Sequence, residues 1–392
     1  MISVEEALAR VLALAPAPRM ETVALDQADG RVLLAPARAG LDQPPFDAAV
    51  MDGYALRVED LATDARLTVV GEAAAGHALT RHLGAGEAVR IFTGAPLPPG
   101  AGAVVMQEDV TRDGDRITLS GLPKATHIRP RGTDFHKDQE LAAPRLLDAR
   151  TLALLAAMNV PQVQVARRPR VAVLATGDEL VEPGQQPGPG QILCSNNYAL
   201  TAMARAAGAE AQMLPIARDT EASLRATFAS ARDADLIVTI GGASVGDYDL
   251  VGKVAADLGL DRAFYKIAMR PGKPLMAGRL GGSAMLGLPG NPVSSIVCGM
   301  IFMQPLIRAM QGLPHRDRTI AARLSEDIGP AGNRTHFMRA TLRGGDDLPR
   351  VAPFPDQDSG LLSLLSRADG LLIRPADDGP RQTGEIVRVL PF

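Results

Sequence analysis

The sequence predicts a multidomain protein of mixed class, α/β plus β, centred on an α/β domain with a parallel sheet. Three observations carry this prediction. Between residues 169 and 315, apolar runs such as VAVLAT, AQMLPI, DLIVTI and AMLGLP alternate with helical stretches, the rhythm of a parallel sheet covered on both faces. From 41 to 137, Gly and Pro become frequent and short apolar runs alternate with turns, which predicts a β-rich domain. The 392 residues, at about 150 per domain, make room for two to three domains.

The chain opens MISVEEALARVLAL. Ser3 and Glu6 have capping-box spacing, and Leu8, Val11 and Leu12 follow at helical spacing, so an amphipathic helix is expected. Glu5 and Glu6 stand where a secretory signal would carry basic charge. Residues 1–40 hold this helix and the extended piece RVLLAPARAG. In 41–137, LTVVGEAAAG, EAVRIFTGAPLPPGA and GAVVMQEDV read as strands with loops, and Pro96, Pro98 and Pro99 exclude a helix. DARTLALLAAM, at 148–158, returns to a helical pattern with Asp148 as N-cap. Residues 1–40 and 138–168 are therefore expected to form one discontinuous helical domain, with the β-rich 41–137 inserted in it. The α/β domain takes 169–315. In 316–392, TIAARL, HFMRATL, GLLIRP and EIVRVLPF predict a small C-terminal β-domain.

Composition excludes some functions. Hydrophobic residues are 46%, charged residues 22%, and the net charge is −3. Neither a nucleic-acid polycation nor a basic membrane-binding helix fits these values. No apolar run reaches the roughly 18 residues that span a bilayer. Cys194 and Cys298 form no CxxC pair, which fits two reduced, buried thiols in a cytoplasmic protein. The six histidines are scattered without zinc-binding spacing.

In a parallel α/β sheet, ligands bind outside the carboxyl ends of the strands. Gly177-Asp178-Glu179-Leu180 follows VAVLAT, the GGASVGDYD loop (241–249) follows DLIVTI, and Pro289-Gly290-Asn291-Pro292-Val293-Ser294 follows AMLGL. Sheet geometry should bring these three loops into one cleft. Gly241, Gly242 and Gly246 let the backbone approach a ligand. The helix expected to start near Asp247 offers N–H groups to an anion, which suits a phosphate or pyrophosphate. The same loop also serves as a plain tight turn, and it matches neither the Walker pattern nor GxGxxG.

Asp178, Glu179, Asp247 and Asp249 add four carboxylates to this edge. Carboxylates beside an anion site imply a divalent cation, and Mg²⁺ binds through one or two of them plus substrate phosphates. As helix caps and solvated loop charges they would need no metal. Arg270 and Lys273 flank the Pro-Gly turn of MRPGKP, holding two cations at fixed separation for a phosphate or an oxyanion. Asn291-Pro292 makes an ordinary helix start and, equally, offers free N–H groups at the sheet edge. In the second domain, Asp52 precedes the turn-forming Gly53. Thr93 exposes a hydroxyl in the FTGAP turn, and Asp134 lies on the RGTD loop.

Seven motifs in order, MDGYA, FTGAPLP, RGTDF, TGDEL, GGASVGDYD, PGKP and PGNPVSS, resemble the MoeA-type molybdopterin molybdotransferases; the gephyrin E domain is similar. The resemblance spans nearly the whole chain. It implies four domains: a discontinuous elongated one, an inserted β-domain, a molybdopterin-binding α/β domain and a C-terminal β-barrel-like domain. It implies a homodimer, with Asp52, Thr93 and Asp134 of one subunit facing Asp178, Glu179 and Asp247 of the other. The implied substrates are adenylated molybdopterin and molybdate, with Mg²⁺ as cofactor, and the implied products are molybdenum cofactor and AMP.

On this resemblance Asp52, Thr93, Asp134, Glu179 and Asp247 are catalytic. Thr176, Gly177, Gly241, Gly242, Ser244, Gly246, Pro289, Gly290, Asn291 and Pro292 hold pterin, AMP and phosphate. Arg270, Lys273 and Ser294 hold molybdate, and Asp178, Glu179, Asp247 and Asp249 ligate Mg²⁺. The adenylyltransferase that makes the substrate and the apo-molybdoenzymes that accept the product are further implied partners. The chain departs from the family pattern in Arg270, where Lys is usual, in Thr133, where an acid is common, and in Asp358 of QDSG, where Gly is usual.

Two other functions share part of the pattern. The adenylyltransferase of the same pathway shares the α/β domain, but it is a short chain with a GGTG loop, whereas this loop reads GGASVG and three further domains are present. A non-enzymatic scaffold of the gephyrin type needs a partner-peptide groove, near Asp327, Arg334 and Phe337. A complete acidic site argues for catalysis instead.

Overall fold

Strand Arg170–Ala175 is buried at every position after Arg170, as an unbroken apolar run requires when both faces of a sheet are covered. Val171, Val173 and Ala175 enter one core with Leu236, Val238 and Ile240. Ala172 and Leu174 enter a second with Ile237, Leu224 and Phe228. Each core is one face of a six-stranded sheet. Its order is Glu210–Met213, Arg170–Ala175, Leu236–Ile240, Ser283–Leu288, Met276–Leu280, Leu260–Tyr265. The first four strands are parallel, and the last two join through antiparallel pairings. The expectation of a parallel sheet therefore holds for the centre, and the sheet as a whole is mixed. The antiparallel edge arises at Gly281-Gly282, a two-residue turn between the paired Leu280 and Ser283, a hairpin signal present in the sequence.

The computed structural model describes residues 1–241 and 250–392. Contacts group them into two units: Met1–Glu21, Gly30–Val32 and Ala166–Phe392 in one, Thr22–Asp29 and Leu33–Val165 in the other.

The first unit holds the α/β sheet. The N-terminal helix Val4–Leu12 belongs to it, because Val4, Ala7 and Val11 enter its core. Ser3 caps this helix by accepting from the Glu6 N–H at 3.1 Å. The Glu6 carboxylate turns to Arg10 instead of completing the capping box. Pro292–Met310 is long and apolar enough to cross a membrane by length and composition, with mean hydropathy 1.5. However, 67% of that stretch is buried within the fold, so its apolar character is accounted for as a core helix. It loosens to a π-turn at Gly299–Met303 just before Pro305, which has no N–H to continue an α ladder.

The same unit ends in a closed β-barrel of five strands: Thr335–Arg343, Arg350–Pro353, Ile320–Leu324, Ile386–Pro391 and Gly370–Arg374, the last pairing back on the first. Met269–Arg270 adds to it as a short sixth strand on Thr335–His336.

The second unit contains a six-stranded sheet in the order Ala103–Met106, Gly53–Leu56, Glu87–Ile91, Arg66–Ala73, Arg116–Leu119, Val110–Asp113. Ala55, Val89, Ile91 and Val104 fill one face; Tyr54, Leu56, Ala88 and Val105 fill the other. A separate cluster of Ala28, Leu33, Phe135, Leu155 and Val165 joins the flanking segments. Helix Ala149–Ala157 is capped by Asp148, which accepts from the Thr151 N–H, as the sequence predicted.

Candidate active site

At the carboxyl edge of the α/β sheet a cavity of about 480 Å³ opens between the predicted loops. Thr176, Gly177 and Glu179 line it from the end of Arg170–Ala175, Gly241 from the end of Leu236–Ile240, and Pro289 to Pro292 from the end of Ser283–Leu288. The strand ends are locked in register by Thr176 N–H to Ile240 O, 3.0 Å, and Gly241 N–H to Leu288 O, 3.1 Å. Gly241 adopts φ +87°, and a Cβ there would lie 2.9 Å from the Thr176 carbonyl, so only glycine fits. Thr176 is 4% exposed, and its Oγ1 has no hydrogen-bond partner among the described residues. A buried, unpartnered hydroxyl at a cavity wall is a donor and acceptor held ready for a ligand.

The loops are braced from behind. Asn196 donates from Nδ2 to the Gly290 carbonyl at 2.7 Å. Asn291 does not cap its helix with its side chain; its Nδ2 reaches Ser359 Oγ of the C-terminal barrel at 2.9 Å. Ser359 also accepts, at its carbonyl, the N–H of Val293 at 3.1 Å. Ser294, expected to bind molybdate, is buried in the first turn of the helix and does not line the cavity.

The acids divide. Glu179 lines the cavity, and Asp178 accepts from the Asp219 N–H at 3.2 Å. Asp219 itself lines the cavity and was not singled out in the sequence. Its carboxyl is pushed above the ordinary range by burial, then by the charges of Asp178 and Glu179. The signal that finds it is the next βα connection of the sheet, Ala217 to Thr220, which bridges to Thr176. Gly242, Ser244, Gly246, Asp247 and Asp249 lie outside the described residues. Among the described residues no three His, Cys, Asp or Glu side chains are grouped to hold a metal.

Arg270 and Lys273 are exposed and form no ion pair or side-chain hydrogen bond among the described residues, and the adjoining Pro274 lines the cavity. Beside Arg270 stands His336, whose buried Nε2 has no hydrogen-bond partner among the described residues. Burial, then Arg270, Arg334, Arg339 and Arg374, push its pKa down to about 4. His336 therefore sits neutral in an electropositive setting. Nothing local signals this, since HFMRATL reads as a plain strand.

In the second unit the predicted pair Asp52 and Thr93 meet. Asp52 Oδ1 accepts both the N–H and the hydroxyl of Thr93, each at 2.8 Å. The backbone bond first, then the hydroxyl, with help from Arg90, holds the Asp52 carboxyl below its usual range. Strand pairing explains the meeting: Gly53 opposes Ile91, so the residues just beyond each strand end are neighbours. Gly53 is required because any side chain would collide with the Val105 carbonyl. Asp134 is exposed, its N–H bonded to Gln43 O at 2.9 Å. No hydrogen bond joins it to Asp52 or Thr93 among the described residues.

Comparison with known proteins adds the following. The chain matches, in order, the MoeA N-terminal region (domain I and II) over residues 2–159, a probable molybdopterin binding domain over 172–309, and the MoeA C-terminal region (domain IV) over 321–392. It is 37% identical over 384 residues to a molybdopterin molybdenumtransferase of Nostoc, covering 94% of this chain and 88% of that one. It is 34% identical to a protein of the same name from Haemophilus influenzae, covering 100% and 99%. A crystal structure of a molybdopterin biosynthesis MoeA protein from Pyrococcus horikosii superposes with a TM-score of 0.84 at 33% identity, covering 100% and 99%.

Proposed function

The chain belongs to the MoeA family, and from that premise we propose that it is a molybdopterin molybdenumtransferase in molybdenum cofactor biosynthesis, inserting molybdate into adenylated molybdopterin with release of AMP. The observation that carries this reading is the cavity at the α/β sheet edge. It combines a backbone cradle, a Thr176 hydroxyl and acids on one side with cations nearby, the hydroxyl and the cations having no partner among the described residues.

The pyrophosphate of an adenylate suits the glycine-rich strand ends Gly177, Gly241 and Gly290. Molybdate is a dianion, and Arg270 and Lys273 are cations that form no ion pair among the described residues. The neutral His336 beside Arg270 can donate to an oxyanion without bringing another charge. Cleaving a phosphoanhydride depends on positioning and electrostatics, so the chain needs no protein nucleophile.

Asp178 and Glu179 are hard oxygen donors. Mg²⁺ takes one or two such carboxylates with substrate phosphates, so the residues present fit it without a closed protein cage. Bound there, it would neutralise charge on the adenylate phosphates. We further read the working form as a cytoplasmic homodimer, with Asp52 and Thr93 of one chain completing the cavity of the other. Its substrate would come from an adenylyltransferase, and its product would pass to apo-molybdoenzymes.

The test is to incubate the purified chain with adenylated molybdopterin, molybdate and Mg²⁺, following AMP by chromatography and protein-bound molybdenum by mass spectrometry. AMP release in step with molybdenum incorporation supports the proposal. Tight pterin binding with neither product would overturn it.

A further inference from the structure

We propose that Arg90 is a positioning residue for Asp52, its guanidinium clamping the two strand ends that carry Asp52 and Thr93 into one geometry. The inference rests on the reading that Asp52 serves the transfer reaction. It begins with register. Tyr54 and Arg90 are direct partners across the antiparallel pair Gly53–Leu56 and Glu87–Ile91. Phe92, two residues on, shares Arg90's side of its strand. The guanidinium carbon lies 5.2 Å from the Tyr54 ring centroid and 4.6 Å from that of Phe92, both within cation–π range.

The fork then reaches the backbone just after Asp52 and the side chain of Gln107. Nη1 donates to the Gly53 carbonyl at 3.1 Å and Nη2 to Gln107 Oε1 at 2.7 Å. The Gln107 N–H in turn donates to the Asp52 carbonyl at 3.1 Å. One side chain thus touches the residue after Asp52, the residue before Thr93, and the residue that holds the Asp52 main chain.

Lysine cannot replace this arrangement, because it lacks the planar fork that bonds two acceptors while stacking on rings. Arg90 makes no ion pair among the described residues, so its charge is not cancelled by a carboxylate. It is the charged group that acts on Asp52. Glu108, the nearby acid, bonds the Gln107 amide at 3.1 Å instead.

The experiment uses the full-length chain and two readouts. The first is the Thr93 amide proton by NMR across pH, which reports the Asp52 carboxylate directly. Arg90→Met is expected to displace this resonance and move its titration midpoint to higher pH. Arg90→Lys should displace the resonance with a smaller change in midpoint, since charge remains and the fork is lost. The second is AMP release in a double-mutant cycle. Arg90→Met should lower kcat about tenfold or more in the wild-type background, as small misplacements of a reacting group do, and have little further effect in Asp52→Asn. An unchanged Thr93 resonance and titration in both Arg90 variants overturns the proposal, as does an equal loss of kcat in both backgrounds. Full activity of Asp52→Asn alone would instead sink the role of Asp52, while the Thr93 titration still decides whether Arg90 positions it. Should Arg90→Met not fold, Arg90→Lys and Gln107→Leu carry the same comparison.

Discussion

The backbone N–H of Asp219 donates to Oδ1 of Asp178 at 3.2 Å, which brings a third carboxylate close to Asp178 and Glu179. Burial and these two charges raise the Asp219 pKa. The stability this group contributes is therefore full below its unfolded value, about 3.9, and lost as pH rises through the folded value. Asp219→Asn should raise the urea midpoint at pH 7.5, and the gain should vanish near pH 3.5. If these carboxylates hold Mg²⁺, the same change should raise the Mg²⁺ concentration for half-maximal turnover by about tenfold or more. An unaltered urea midpoint at both pH values would count against the repulsion.

His336 makes the opposite pH prediction. Its pKa falls from 6.5 to about 4 in the fold. The stability it contributes is present above 6.5 and lost as pH falls toward 4, because the unfolded chain binds a proton that the folded one refuses. At 1.36 kcal/mol per unit the full effect is on the order of 3 kcal/mol. His336→Asn should flatten the slope of unfolding free energy between pH 6.5 and 4, measured by urea titration. A slope equal to that of the parent protein would show that His336 does not carry it.

Thr176 separates binding from folding. Its Oγ1 is buried without a partner among the described residues, so Thr176→Val keeps the shape and removes a group that these residues do not satisfy. Thermal stability should be unchanged or slightly higher. Affinity for the adenylated pterin should fall about tenfold, the worth of a hydrogen bond to a charged group, as calorimetry would read. Equal affinity in both proteins would mean that the hydroxyl faces no ligand.

How much of this was legible in the sequence depends on the range of the signal. The strands VAVLAT and DLIVTI and the loops after them were plain, because continuous apolar runs and βα turns are local features. Asp52 and Thr93 were each weak alone, and their hydrogen bond depends on the Gly53–Ile91 register, which no local pattern fixes. Asp219 escaped because nothing beside it is unusual; its proximity to Asp178 exists only once the sheet order is known. The π-turn before Pro305 and the Ser359 brace on Asn291 likewise arise from long-range packing. The helix Pro292–Met310 reaches a membrane-spanning length that no apolar run was expected to reach, and its burial is not readable from composition.

The shared cavity proposed above makes a prediction about mixed dimers. If Asp52 serves the partner's α/β domain, one can combine an Asp52→Asn chain with a Glu179→Gln chain. Each homodimer should be nearly inactive, because both of its cavities lack one acid. In a two-fold symmetric dimer the heterodimer then has one cavity with both lesions and one with neither. Activity should return to about half that of the parent dimer, provided the cavities work independently. A cavity built within one chain predicts the reverse, because every cavity keeps one lesion and mixing restores nothing. The chains are co-expressed with different tags, the heterodimer is isolated by two affinity steps, and AMP release is measured. A confirmed heterodimer that stays as inactive as its parents would reject the shared cavity and place Asp52 and Glu179 in the service of the same chain.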